Sequence, residues 1–297
     1  MNQHTHTVEG DRARIEELRA EMLFRIYARD EIAFLEDVWA IATPASGKQL
    51  FKLRDSQRYA LNHFETNRYS LTLKARQIGW STLVAAHAFY SAFFGDAREI
   101  IFLSRGEREA TQLMTKVKYG FKHLPQWLLD KGPNVRADHQ QRMMFDNGSS
   151  IVSMPSASDP ARGSTAWLVV VDEWGFLPNA EEAWSSIEPV ADIGGRIIGL
   201  STANGVGNFF HQLWVDAENG HNNFQTMFFP WSANEDRDAD WYESKRASMS
   251  EWQLAQEYPT SVNDAFIKSG RPYFDLTTIQ RRSVDVKPPK TGHLVAA

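Results

Sequence analysis

The stretch Leu73-Lys74-Ala75-Arg76-Gln77-Ile78-Gly79-Trp80-Ser81-Thr82 sets cations, a glycine and hydroxyls between an apolar run and a helical one. Those are the parts of a phosphate-binding loop. Such a loop needs backbone N–H groups turned inward ahead of a helix N-terminus, a lysine near the β- and γ-phosphates, and a hydroxyl for magnesium. Gly79 lets the backbone approach an anion, and Ser81 stands where the magnesium hydroxyl belongs. The usual lysine position holds Trp80, while a lysine stands at the loop's start, Lys74, and Arg76 adds a second cation. By the strict spacing the match fails. Taken alone, the stretch leaves an ordinary strand–turn–helix connection open.

A second stretch, Ala166-Trp167-Leu168-Val169-Val170-Val171-Asp172-Glu173, is an apolar run ending in adjacent carboxylates. In ATP hydrolysis the first carboxylate holds hydrated magnesium and the second polarises the attacking water. An Asp-Glu pair that merely caps a helix has the same appearance. A third stretch, Gly199-Leu200-Ser201-Thr202-Ala203-Asn204-Gly205, sets small polar residues after the next apolar run. At the carboxyl edge of an α/β sheet they would meet a γ-phosphate or the lytic water, or else form a turn and a cap. In one βα pattern with the loop, the Asp-Glu pair is better explained by function than by capping.

The elements that must position these residues are legible in the hydrophobic periodicity. Residues 1–40 read largely as helix, with Ile15, Leu18, Met22, Leu23 and Ile26 at helical spacing, then Phe34, Leu35, Val38 and Trp39. Thr43-Pro44-Ala45-Ser46-Gly47 breaks that pattern. Strands are expected at Tyr69–Leu73, Glu99–Leu103, Trp167–Val171, Arg196–Leu200 and Phe224–Phe229, and helices at Trp80–Phe94, Arg108–Leu124 and Asn208–Ala217. The alternation predicts a parallel sheet with covering helices, and the uninterrupted Trp167–Val171 predicts a central strand. Met143–Phe145 and Ser150–Met154 flank Asp146-Asn147-Gly148-Ser149, a hairpin signal because Asn-Gly tolerates positive φ. After Pro230 the composition turns charged and aromatic, with helices expected over Asp238–Met249 and Glu251–Tyr258. The tail from Arg271, with Pro288-Pro289, reads as a linker.

Composition narrows the classes further. At 42% apolar and 23% charged, the chain is too apolar for disorder and too interrupted by charge for a membrane protein. Its 297 residues suit one large domain or two small ones. The apolar run Ala166–Val171 is far short of the roughly 18 residues of a spanning helix. The polar N-terminus lacks a secretory signal, so a soluble intracellular protein is expected. The absence of cysteine excludes disulfides and thiol chemistry, and nine histidines without ligand spacing argue against a zinc enzyme. A net charge of −5 argues against a protein coat around nucleic acid but leaves local basic faces open. Lys116, Lys118 and Lys122 read as a solvated helix face.

These stretches, with Leu53-Arg54-Asp55-Ser56-Gln57-Arg58 upstream, resemble the large terminase subunit of tailed bacteriophages, the motor that packs DNA into capsids. The resemblance runs from about Phe51 to Asp275. It implies that the L-R-D-x-Q-R segment recognises adenine, with Gln57 near the base and Arg58 beside it. It implies a Walker A nucleotide site over Lys74, Ala75, Arg76, Gln77, Ile78, Gly79, Trp80, Ser81 and Thr82, of the branch that moves the lysine to the loop's start. V-V-D-E followed by F-L-P is similar to Walker B, which assigns Asp172, with Ser81, to magnesium and Glu173 to catalysis. S-T-A-N-G is similar to the coupling motif, where T-P-N-G is commoner; Ala203 replaces the proline, and Thr202 and Asn204 remain. Arg162-Gly163-Ser164-Thr165 resembles the segment that supplies an arginine to a neighbouring subunit, with Arg105 the next candidate.

The resemblance implies an α/β P-loop NTPase of the ASCE type, with a mainly parallel central sheet flanked by helices. The expected units are a helical segment at 1–47, the ATPase core at 48–232, a small helical lid at 233–270 and a linker at 271–297. Large terminases continue into a nuclease whose acidic cluster binds two metals; Asp275 and Asp285 are the only acids from Arg271 onward, so the motor half alone is expected, without DNA cleavage. The implied function is ATP hydrolysis with Mg2+ that drives double-stranded DNA into a procapsid. The implied partners are the portal protein, the small terminase subunit and further copies in a ring, with a pentamer expected, in the cytoplasm of the infected bacterial host and away from membranes. Two other functions are weighed: a helicase-like DNA remodeller, which would need a second domain with further arginine motifs, and a silent packaging scaffold whose loop has decayed at Trp80.

Overall fold

The computed structural model describes residues 8–269, apart from 45, 157–164 and 193. The described residues begin with two helices, α1 (Val8–Tyr27) and α2 (Glu31–Asp37). Asp30 caps α2 by accepting a hydrogen bond from the Ala33 N–H at 2.9 Å. A two-stranded hairpin follows, β1 (Ala40–Thr43) and β2 (Gly47–Leu50), so the break read at Thr43–Gly47 is its turn. The expected boundary at 47–48 falls inside this hairpin. Next comes α3 (Asp55–Thr66), opened by Gln57, whose side-chain oxygen accepts the Arg54 N–H at 3.0 Å.

From there strand and helix alternate as the periodicity predicts: β3 (Tyr69–Lys74), α4 (Trp80–Phe94), β4 (Glu99–Ser104) and α5 (Glu107–Lys122). A short α6 (Gln126–Leu129) leads to β5 (Val135–His139), β6 (Arg142–Phe145) and β7 (Ser150–Pro155). Gly148 takes φ 82 in the β6–β7 turn, and the Asn147 amide beside it donates to the carbonyls of Ala92 and Gly95 at the end of α4. The core continues with β8 (Leu168–Asp172), α7 (Ala180–Asp192), β9 (Arg196–Ser201), α8 (Phe209–Glu218) and β10 (Gln225–Phe229). The C-terminal part is helical: α9 (Ala239–Ser248), α10 (Glu251–Glu257) and a π-helical turn at Asp264–Lys268.

One eight-stranded sheet runs β10-β3-β9-β8-β4-β7-β6-β5. Strands β10 through β7 in that order pair parallel, and β6 and β5 are antiparallel at the edge. The central strands are buried on both faces. Along β8, Leu168 and Val170 join the cluster containing Leu83, Phe89 and Phe102, while Val169 and Val171 join the one with Leu71, Trp174 and Phe210. An unbroken apolar run from Leu168 to Val171 is what two covered faces require. Each such side chain stabilises by about 1.5–3 kcal/mol on burial. Helix α4 is buried nearly all round, which explains its lack of a polar stripe. Among the described residues, no helix is long and apolar enough to cross a membrane.

Candidate active site

The sheet order sets β3, β9 and β8 side by side, so the residues at their carboxyl ends meet. These are Lys74, Ser201 with Thr202, and Asp172 with Glu173. The three motifs, distant in sequence, therefore share one edge.

The loop after β3 turns through Gln77 at φ 58 and Gly79 at φ 83 before α4 begins. Gly79 is required twice over: its φ is left-handed, and a Cβ there would lie 2.7 Å from Gln57 Nε2. Trp80 does not face the loop. Its ring is buried against Phe229, 4.6 Å between centroids, and edge-on to Phe64 at 6.3 Å. The expectation that Trp80 belongs to the nucleotide site is thus corrected for its side chain, which is core; the same holds for the buried side chains of Ala75 and Ile78. Those positions face the loop only through their backbone.

At the other strand end, Ser81 Oγ donates to Asp172 Oδ2 at 3.2 Å. Asp172 Oδ1 is buried without a hydrogen-bond partner. Burial, and next the neighbouring Glu173 charge, push the Asp172 carboxyl up to about 6. A buried carboxylate oxygen without a hydrogen-bond partner, beside a hydroxyl, is a hard-oxygen donor set, and it fits Mg2+.

Glu173 has φ 52 and ψ 47, a left-handed conformation uncommon for a residue with a Cβ. That twist brings its carboxylate to Lys74. Lys74 Nζ donates to Oε1 at 3.0 Å, and Oε2 accepts from the Thr202 N–H at 3.2 Å and from Thr202 Oγ1 at 3.4 Å. Burial alone would raise the Glu173 carboxyl, but the Lys74 ammonium and the Thr202 donors outweigh it and hold the group below its ordinary range. The side chain remains partly open, on a cavity of about 290 Å³ also lined by Arg76, Arg105, Thr202, Gln256 and Glu257. A larger cavity of about 500 Å³ lies among α9, α10 and the π-helical turn; it contains none of the motif residues.

Other expected residues are placed differently. Asn204 donates to the Gly175 carbonyl at 2.8 Å, tying the third motif to the turn after β8 instead of facing the cavity. Arg76 turns to α10: its N–H donates to the Glu257 carbonyl at 2.8 Å, and its Nη1 to both Glu257 carboxylate oxygens at 2.9 Å. Gln57 is fully buried and donates to the Ile78 carbonyl at 3.3 Å. It supports the loop from behind and presents no surface to a base, which corrects the expected adenine contact. Arg58 pairs with Glu36 at 2.5 Å, on the N-terminal helices. Thr82 lines a separate cavity of about 450 Å³ with Lys116 and Tyr119. Arg162 lies outside the described residues. Arg105, at the end of β4, faces the Glu173 cavity and pairs with Glu109 at 3.3 Å.

Two residues at the loop carry no motif in the sequence. Glu257 and Arg237 reach it from the helical C-terminal part, Arg237 by donating to the Arg76 and Gln77 carbonyls. Nothing local marks them; only the tertiary fold brings them there.

Comparison with known proteins gives one consistent answer. A family model described as terminase large subunit, T4likevirus-type, N-terminal, matches residues 71–274. Among solved structures, the ATPase domain of the large terminase of Thermus phage P74-26 is similar at 19% identity and a TM-score of 0.61, over 73% of this chain and 95% of that one. The large terminase of bacteriophage HK97 is similar at 14% identity and a TM-score of 0.60, over 78% of this chain and 54% of that one. The large terminase of a thermophilic bacteriophage, solved with ADP, is similar at 11% identity and a TM-score of 0.54, over 69% of this chain and 52% of its own length. The alignment thus spans about half of the latter two proteins. At these identities the likeness establishes a shared fold.

Proposed function

This chain belongs to the terminase large-subunit family, and from that premise we propose that it hydrolyses ATP to drive double-stranded DNA into a viral procapsid. The observation that carries the reading is the convergence of Ser81, Asp172, Glu173, Lys74 and Thr202 at one sheet edge. The solved thermophilic-phage relatives with ADP and with ATP-γ-S support a nucleotide as the ligand.

In this reading Ser81 and Asp172 would hold Mg2+, which when bound would supply positive charge to the phosphates during transfer. The inward amides of the loop hold the phosphates. Glu173, kept ionised, accepts a proton from the attacking water, and Thr202 keeps its carboxylate in place. Lys74 supplies the cation that the Trp80 position lacks. Arg162 is proposed to act on the pocket of a neighbouring subunit in a ring, with portal protein and small terminase subunit as partners in the infected host's cytoplasm. The silent-scaffold reading rested on Trp80, and Trp80 is accounted for as core.

The test is ATP turnover by the purified protein with Mg2+ and with the metal chelated, and then with double-stranded DNA added. Metal-dependent turnover that DNA stimulates supports the proposal. No turnover in wild type under any of these conditions, alone or assembled, overturns it.

A further inference from the structure

We infer that Arg237, which no motif marks, is a positioning residue that shapes the phosphate-binding loop from outside. The inference rests on the ATP reading of that loop. A loop that cradles phosphate must turn its N–H groups inward. In a planar trans peptide the carbonyl of one residue and the N–H of the next point opposite ways. An inward N–H therefore requires an outward carbonyl, and that carbonyl needs a donor on the outer side.

The structure supplies those donors. Arg237 Nη2 donates to the Arg76 carbonyl at 3.0 Å and to the Gln77 carbonyl at 3.2 Å. Gln57 Nε2 donates to the Ile78 carbonyl at 3.3 Å. Successive peptide planes are thus pinned by their carbonyls, which directs the N–H groups of Gln77, Ile78 and Gly79 to the inner side. One of these residues, Gln77, sits at φ 58, a conformation that a side-chain-bearing residue holds only where its surroundings fix it.

Arg237 is itself held rigidly. Its guanidinium lies over Trp241 at 4.5 Å and Tyr258 at 5.2 Å, two cation–π contacts that fix its orientation. Its backbone N–H donates to the Asn234 carbonyl at 3.0 Å, and the next residue, Asp238, caps α9 through the Trp241 N–H at 2.8 Å. Nη1 is buried without a hydrogen-bond partner.

The experiment compares wild type with Arg237→Ala and Arg237→Lys by calorimetric titration of ADP and, separately, of inorganic pyrophosphate. Losing charge-assisted bonds to two carbonyls predicts affinity lower by roughly 10- to 100-fold in Arg237→Ala. Because the effect passes through the amides, ADP and pyrophosphate should lose the same factor. Arg237→Lys should fall between. Millimolar guanidinium should restore much of the ADP affinity of Arg237→Ala, and urea at the same concentration should not. Unchanged ADP affinity in Arg237→Ala overturns the inference, as does a loss confined to ADP with pyrophosphate unaffected. If Arg237→Ala does not fold, wild-type affinity in Arg237→Lys overturns it. Failure of wild type to bind ADP at all overturns the ATP reading itself, a result distinct from the others.

Discussion

Lys74 Nζ reaches Glu173 Oε1 at 3.0 Å across the sheet edge, although β9 lies between the strands that carry them. The lysine side chain is 5% exposed and points to the reacting end of the site. In the proposed ATP reading, a lysine at the loop's start would deliver its ammonium to the place where charge builds on the γ-phosphate. Lys74→Ala should lower ATP turnover by roughly 10²- to 10³-fold, the usual effect of removing one preorganised charge donor. Melting temperature should change little by comparison, since Glu173 keeps both Thr202 donors. Turnover within a few-fold of wild type would show that another cation serves.

The two carboxylates should separate in their effects. Glu173→Gln keeps shape but cannot take a proton, so nucleotide binding should persist while hydrolysis falls by roughly 10²- to 10⁴-fold. Asp172→Asn replaces the buried carboxylate whose Oδ1 has no partner. The metal-free protein should melt no lower than wild type, because a buried charge has been removed. Its added stability from Mg2+ with ADP should disappear. Thermal melts with and without Mg2+ and ADP read both results; an undiminished metal effect in Asp172→Asn would move the magnesium site elsewhere.

Trp80 gives a prediction about stability. Restoring the usual pattern by Trp80→Lys should damage the protein instead of improving it. The ring is 2% exposed between Phe229 and Phe64, and losing a buried tryptophan costs about 3–5 kcal/mol before any buried charge is counted. The melting temperature should fall by roughly 10 °C or more. A variant as stable as wild type with higher turnover would mean that the side chain at this position can turn towards phosphate.

Which parts were legible in the sequence follows from what each element depends on. The apolar run of β8, the buried α4 and the Asn147-Gly148 hairpin carry their own local signals, and each stands within a residue or two of its expected limits. The hairpin β1–β2 does not. Its second strand, Gly47–Leu50, is exposed throughout and has no alternation to read. Helix α3 opens at Arg54, a residue type that rarely caps, and depends on Gln57 for its first turn. Helix α7 contains Pro189, a residue that disfavours a helix interior, and is absent from the expected elements. In the candidate site, residue identity singled out Asp172, Glu173, Ser81 and Lys74, types that hydrolytic chemistry would demand, and the fold brings them to one sheet edge. It misled on Gln57 and Asn204, whose amides bond to backbone carbonyls, since an amide serves ligand and backbone equally well.

Arg76 tests whether the sequence expectation or the observed contact describes its role. Expected to meet phosphate, it instead holds Glu257 through both carboxylate oxygens and through its own N–H. Both side-chain bonds come from Nη1, so Nε and Nη2 keep their donors, but the head group is anchored at α10. If Arg76 serves phosphate, it must leave Glu257, and Glu257→Gln should tighten ATP binding by removing the competitor. If Arg76 is a strut between loop and α10, Glu257→Gln should weaken binding by loosening the loop. Stability cannot decide between them, because Arg76 is 60% exposed and such pairs contribute about 1 kcal/mol at most. Affinity can. The phosphate role predicts tighter ATP binding in Glu257→Gln, weaker binding in Arg76→Ala, and a double variant no tighter than Arg76→Ala alone, since Glu257 then has nothing to compete for. Weaker binding in both single variants, without further loss in the double, would instead identify the Arg76–Glu257 contact as a strut that holds the loop in shape.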